Sequence, residues 1–129
     1  MSLLQGKKIV LGVTGGIAAY KAAALASLLV QQSACVDVIM TEAATAFIQP
    51  LTFTALTHRP VHTKALADWD HHASGHVTLA AGADLLLVAP ATAASLARLA
   101  LGLADDLLGL VALATSAPLL VAPAMEHHM

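Results

Sequence analysis

Chemistry is first suggested by Gly15, Gly16 and Ile17, which sit in the stretch KKIVLGVTGGIAAYK, residues Lys7–Lys21. An apolar run rich in β-branched residues (Ile9, Val10, Val13, Thr14) meets two glycines and passes straight into an alanine-rich helical pattern. This reads as a buried strand, a tight turn and a helix N-terminus. Adjacent residues without Cβ let backbone approach something closely and permit positive φ. A helix beginning near Ile17 aims unpaired N–H groups and its positive dipole end at the turn, a place that attracts a phosphate. The spacing of Gly12, Gly15 and Gly16 is not that of the dinucleotide motif G-x-G-x-x-G, and Ile17-Ala18 stand where a P-loop needs Gly-Lys. On these residues alone, a first β-α turn that binds nothing stays open.

The elements that must hold this turn follow in chain order. A helix over roughly 17–32 leads to a strand at Cys35–Met40. Thr41 is placed to cap the helix-like segment 43–47, and its hydroxyl also suits a phosphate at the neighbouring loop. Pro50 resets the chain before a short helix at 51–56, and Val61-His62-Thr63 reads as a brief strand. The polar segment 67–75 is a loop, after which His76 opens a short helix ending near Gly82. Asp84–Ala89 is a continuous apolar strand of the kind buried on both faces. Pro90–Ser95 follows, then helices to about Leu101 and from Asp105 to about Ala114, and a last strand at 118–122. Such alternation predicts right-handed crossovers and a doubly wound, mainly parallel α/β sheet with helices on both faces. Ligands in such sheets bind beyond the strand C-termini at a switch point. Three junctions fall there: Thr14–Ile17, Ala89–Ser95 and Val121–Glu126.

Composition narrows the function classes. The 129 residues make one domain, 58% hydrophobic and 11% charged, with a mean hydropathy of +0.78; an ordinary soluble domain carries about 25% charged residues. A monomer of this size does not hide so much apolar surface, which predicts self-association. Membrane insertion is not expected, because Arg98, Asp105, Asp106 and Pro118 interrupt the most apolar region. A net charge of −2 without a basic cluster argues against nucleic acid. The single cysteine, Cys35, excludes an internal disulfide and reads as a buried strand thiol. His71, His72, His76, His127 and His128 match no zinc spacing, so no metal is expected. By itself His76 reads as a solvated helix-start histidine, and Asp105-Asp106 as helix-start aspartates favoured by the dipole.

Several motifs in order are more specific than any glycine loop. VTGGIAAYK, MTEAATAFIQPLTFTAL, GHVTLA, ADLLLVAPATAASLARLALGLADDLL and APLLVAPAM together resemble the homo-oligomeric flavin-containing cysteine decarboxylases, from Lys7 to Met129. The resemblance is greatest to the phosphopantothenoylcysteine decarboxylase domains of coenzyme A biosynthesis. It implies a flavodoxin-like (Rossmann-type) sheet, bound FMN, assembly into trimers or dodecamers, and a cytoplasmic enzyme. It also implies that Gly15, Gly16, Ile17 and Thr41 hold the FMN phosphate. Phe47 and Pro90, Thr92, Ala93, Ala94 and Ser95 would hold the ribityl chain and ring, and Ala124 would meet the flavin by its backbone. His76 matches the catalytic histidine.

In that family, flavin oxidises the substrate's cysteine side chain to a thioaldehyde, the electron sink that decarboxylation needs, while the protein supplies placement and a base. Three departures stand out. The family's proline-x-methionine-asparagine motif, which grips the substrate carboxylate, reads here Pro123-Ala124-Met125-Glu126, so carboxylate would face carboxylate unless one is protonated. Ala94 replaces the flavin-loop asparagine. The third is length: the 129 residues form a single flavoprotein domain without the family's C-terminal flap, whose cysteine Cys35 cannot replace. Two alternatives therefore accompany the decarboxylase: an FMN-binding subunit without turnover, and a sister enzyme acting as a flavin prenyltransferase or on a peptide's C-terminal cysteine.

Overall fold

The computed structural model describes residues 2–63 and 75–125, with the backbone alone at 75 and 76. Five strands form one parallel sheet: β1 (Lys8–Val13), β2 (Cys35–Met40), β3 (Val61–His62), β4 (Leu85–Ala91) and β5 (Leu119–Pro123), in the order β3-β2-β1-β4-β5. Every pairing is parallel, and this order is the Rossmann-type variant of the doubly wound fold. The direction of winding reverses between β1 and β4, which places the switch point beside Thr14.

Helices α1 (Ala19–Gln31), α2 (Pro50–Thr57), α3 (Gly75–Gly82), α4 (Ala93–Leu101) and α5 (Leu107–Ala114) connect the strands, with a 3-10 turn at Ala43–Ala46. Strand side chains alternate between the sheet's two faces. Ile9, Leu11, Val13, Val36, Val38 and Met40 pack with Ala19, Ala22, Ala26 and Leu29 of α1 and Phe53 of α2. Small residues at i, i+3 and i+7 let α1 lie close to the sheet. On the opposite face, Val10, Ile39, Leu86 and Val88 pack with Leu107, Leu108 and Val111 of α5 and Ala80 of α3. Gly12 belongs to that face: a Cβ there would lie 2.7 Å from a Leu108 methyl.

Helix punctuation follows local chemistry. Pro50 occupies the first turn of α2, where a missing N–H is harmless. Gly102 closes α4 at φ 68°. Asp106, rather than Asp105, caps α5, its carboxylate accepting the Gly109 N–H at 2.8 Å. Asp105 instead pairs with Arg98 at 2.6 Å on the surface, and that guanidinium holds its carboxyl below the usual range.

Three further expectations are corrected. Helix α1 starts at Ala19 instead of Ile17, because residues 16–18 form a preceding turn in which the Ala19 N–H bonds to the Gly16 carbonyl. Neither Gly15 nor Gly16 has positive φ. Cys35 is only half-buried, being the first residue of its strand. Among the described residues no helix is long and apolar enough to cross a membrane.

Candidate functional site

The strand C-termini converge as the parallel topology requires. Thr14 leaves β1, Pro90–Thr92 leave β4, and Pro123–Met125 leave β5 along one rim. Gly16, Ile17 and Ala18 form one wall of an open cleft of about 620 Å³, with Pro90, Thr92, Ala93, Ala94, Ala124 and Met125 completing it. Eight of the residues singled out in the sequence (16, 17, 90, 92, 93, 94, 124 and 125) therefore share one cleft.

The turn supplies donors. Among the described residues, the N–H groups of Gly15, Gly16, Ile17 and Ala18 donate to no backbone or side-chain acceptor. They precede α1, so their partial positive charge adds to its dipole. Gly15 owes its identity to crowding: a Cβ there would lie 2.5 Å from the Ala43 Cβ and 2.9 Å from the Ala43 carbonyl carbon. Among the described residues nothing crowds Gly16, since its Cβ would make an ordinary 3.5 Å contact with the Thr92 methyl. Its bare surface faces the cleft.

The opposite wall is fastened by hydroxyls. Thr92 caps α4 by accepting the Ser95 N–H at 3.2 Å, and the two hydroxyls lie 3.1 Å apart. The Ala124 N–H bonds to the Ala91 carbonyl at 3.0 Å, which ties the end of β5 to that of β4. Ser95 thus closes the cap and is not among the residues lining the cleft.

Thr41 follows β2 and is held by its N–H bond to the Val13 carbonyl at 3.0 Å. Its Oγ1 accepts the Ala44 N–H at 3.2 Å, and its hydroxyl proton has no acceptor among the described residues. It lines a neighbouring cleft of about 450 Å³ together with Glu42, Thr45, Thr63, Asp105 and Asp106. Phe47 follows the 3-10 turn and is 55% exposed. His76 lies in the first turn of α3, where only its backbone is described. Glu126, His127 and His128, like His71 and His72, lie outside the described residues. Among the described residues no three His, Cys, Asp or Glu side chains are grouped to hold a metal ion.

Sequence reasoning overlooked the role of Thr14, treating it as one more β-branched strand residue. It is fully buried, donating its hydroxyl to the Pro90 carbonyl and accepting the Thr92 N–H at 3.1 Å. The available signal was a hydroxyl ending an otherwise apolar strand directly before two glycines.

A family model described as Flavoprotein matches residues 2–129. The chain is 52% identical over 129 residues to the coenzyme A biosynthesis bifunctional protein CoaBC of Vibrio cholerae, covering 100% of this chain and 32% of that protein. It thus spans about a third of the length of the curated relatives it matches. Among solved structures, the FMN-dependent cysteine decarboxylase SpaF superposes with a TM-score of 0.86 at 31% identity, over 98% of this chain and 73% of that one. A mutant PPC decarboxylase complexed with pantothenoylaminoethenethiol superposes with a TM-score of 0.79 at 28% identity, over 95% and 69%.

Proposed function

Because the chain belongs to the flavoprotein family, we propose that its rim cleft holds FMN and serves the decarboxylation of 4'-phosphopantothenoylcysteine to 4'-phosphopantetheine in coenzyme A biosynthesis. The observation that carries this reading is the turn at 15–18, whose N–H groups lack acceptors among the described residues and adjoin an alanine-lined cleft. A phosphate monoester supplies the acceptors that the turn lacks.

FMN, when bound, supplies the two-electron oxidation of the substrate's cysteine side chain that lets the carboxylate leave. The chain's own residues then have these tasks. Gly15, Gly16 and Ile17 bind the phosphate by backbone N–H groups, and the Thr41 hydroxyl donates to it. Pro90, Thr92, Ala93 and Ala94 present a wall without bulky side chains to the ribityl chain and ring, and Ser95 keeps that wall in place. Ala124 meets the ring by its backbone, and Phe47 covers it from the rim. His76 serves as the base, a role for which an imidazole is chemically suited. Met125 and Glu126 meet the substrate carboxylate.

Self-association into a trimer or dodecamer would offer cover for exposed Ile17 (84%), Leu51 (73%) and Leu101 (75%). The reaction is assigned to the cytoplasm, with neither membrane nor nucleic acid as partner. Glu126 favours a second reading, in which the chain keeps FMN without turnover, because a carboxylate repels the substrate's own.

The first test is the visible absorption spectrum of the purified protein, with identification of the released cofactor. A flavin spectrum with FMN on release supports the reading. A colourless protein that takes up no added FMN refutes it. Carbon dioxide release from 4'-phosphopantothenoylcysteine then separates the decarboxylase from the subunit without turnover.

A further inference from the structure

The two walls of the cleft come from strand ends 76 residues apart, and one side chain joins them. Regular pairing of β1 with β4 ends at Gly12 and Val88. Past that point Pro90 has no N–H to give, and β4 breaks register against β5 between Val88 and Ala91. Thr14 spans the gap. Its Oγ1 donates to the Pro90 carbonyl and accepts the Thr92 N–H at 3.1 Å, while its own N–H reaches the same carbonyl at 3.4 Å. One hydroxyl thus stands in for a peptide group of the ladder. The residue is 0% exposed, so no water replaces either bond if the hydroxyl is removed. Thr92, held in this way, caps α4 and sets its methyl against Gly16 across the cleft.

We propose that Thr14 is a positioning residue for the flavin site. Its buried hydroxyl fixes the gap between the phosphate-binding turn and the Pro90–Ser95 wall, and so governs FMN affinity without touching any ligand. The proposal rests on the FMN reading given above. It does not need His76 or Glu126.

Thr14→Val keeps the shape and removes the hydroxyl, whereas Thr14→Ser keeps the hydroxyl. Thr14→Val is expected to raise the Kd for FMN about tenfold or more, the consequence of one unsatisfied buried group, and to alter the visible circular dichroism of the bound flavin. Thr14→Ser is expected to stay within about threefold of wild type, since the hydrogen-bonding group is retained. A merely structural hydroxyl would lower Tm and leave Kd and the dichroism unchanged, and that result overturns the proposal. So does a Thr14→Ser protein as impaired as Thr14→Val.

Wild-type protein that takes up no FMN refutes the flavin reading instead. Amide exchange then decides the positioning claim: the Thr92 N–H is expected to exchange slowly in wild type and fast in Thr14→Val. Equal exchange in both overturns it. Should Thr14→Val not fold, wild-type exchange of Thr92 as fast as that of exposed loop amides overturns it as well.

Discussion

Replacing Gly15 with alanine probes the tightest contact of the site. The new Cβ would lie 2.5 Å from the Ala43 Cβ and 2.9 Å from the Ala43 carbonyl carbon, against an ordinary carbon–carbon separation of about 3.5–4 Å. Relief requires roughly 1 Å of movement between the β1-α1 turn and the 3-10 turn. Neither side can yield by rotating a long side chain. Ala43 has only a methyl group, and its turn is held by the Ala44 N–H bonds to Thr41. Overpacking of this kind destabilises by about 1–3 kcal/mol. At about 3–5 °C per kcal/mol for a domain of this size, Tm should fall by about 3–15 °C. The φ of Gly15 is not positive, so the effect is steric, with no backbone strain added.

Gly16→Ala supplies the contrast. Its Cβ meets only the Thr92 methyl at 3.5 Å, and alanine at an unstrained backbone position stabilises by about 0.4–1 kcal/mol. Its Tm should hold or rise slightly, yet FMN binding should weaken because the methyl stands on the cleft wall. Thermal denaturation followed by far-UV circular dichroism without FMN, and a fluorescence titration with FMN, separate the two variants. Gly15→Ala should lose stability and affinity together, Gly16→Ala affinity alone. A Gly15→Ala protein that melts with wild type would refute the crowding argument.

Three further predictions concern other parts of the molecule. Asp106→Ala removes the α5 cap and should destabilise by about 1 kcal/mol in a urea unfolding curve, while Asp105→Asn, which breaks only a surface pair with Arg98, should leave the midpoint unchanged. Burial lowers the pKa of His62 below its ordinary 6.5, with Asp37 opposing the shift and Arg59 adding to it. The unfolded chain therefore binds a proton first, so His62 contributes stability above about pH 6.5 that is lost as pH falls toward its folded pKa. His62→Gln should flatten Tm against pH between 7.5 and 5.5 (~2 units spanning the unfolded pKa); an unchanged slope would assign the dependence to other groups. Glu126→Asn should raise the rate of carbon dioxide release from 4'-phosphopantothenoylcysteine, and no gain in a chain that binds FMN would show that the carboxylate is not the obstacle.

Where the sequence was most legible, one local signal had one meaning. The strand Cys35–Met40 appears with the bounds its pattern implies, and Gly102 ends α4 as expected. Pro90 misleads because proline usually marks the end of a strand. Here β4 runs on to Ala91, and Thr14 binds the strand beyond regular pairing by donating to the Pro90 carbonyl and accepting the Thr92 N–H. The roles of Asp105 and Asp106 were not separable by spacing. Which of two adjacent carboxylates caps a helix depends on backbone direction at its start, and the other is then free to meet Arg98 seven residues earlier.

The position of the rim cleft was legible for a topological reason. In a parallel sheet every strand ends at the same rim, so three polar or glycine-bearing strand ends must meet whatever separates them in sequence. The topology leaves open how far apart they stand, and that distance determines what fits between them. Here it is set by contacts between distant residues: Gly15 against Ala43, Thr14 between Pro90 and Thr92, and Ala124 on Ala91. None has a periodicity or a motif of its own. Each is read only after the neighbours are known, and together they make the cleft a fixed width before any ligand arrives. If the cleft holds FMN as proposed, it is preorganised, so a change in these supports should appear in cofactor affinity even where the turn N–H groups are intact.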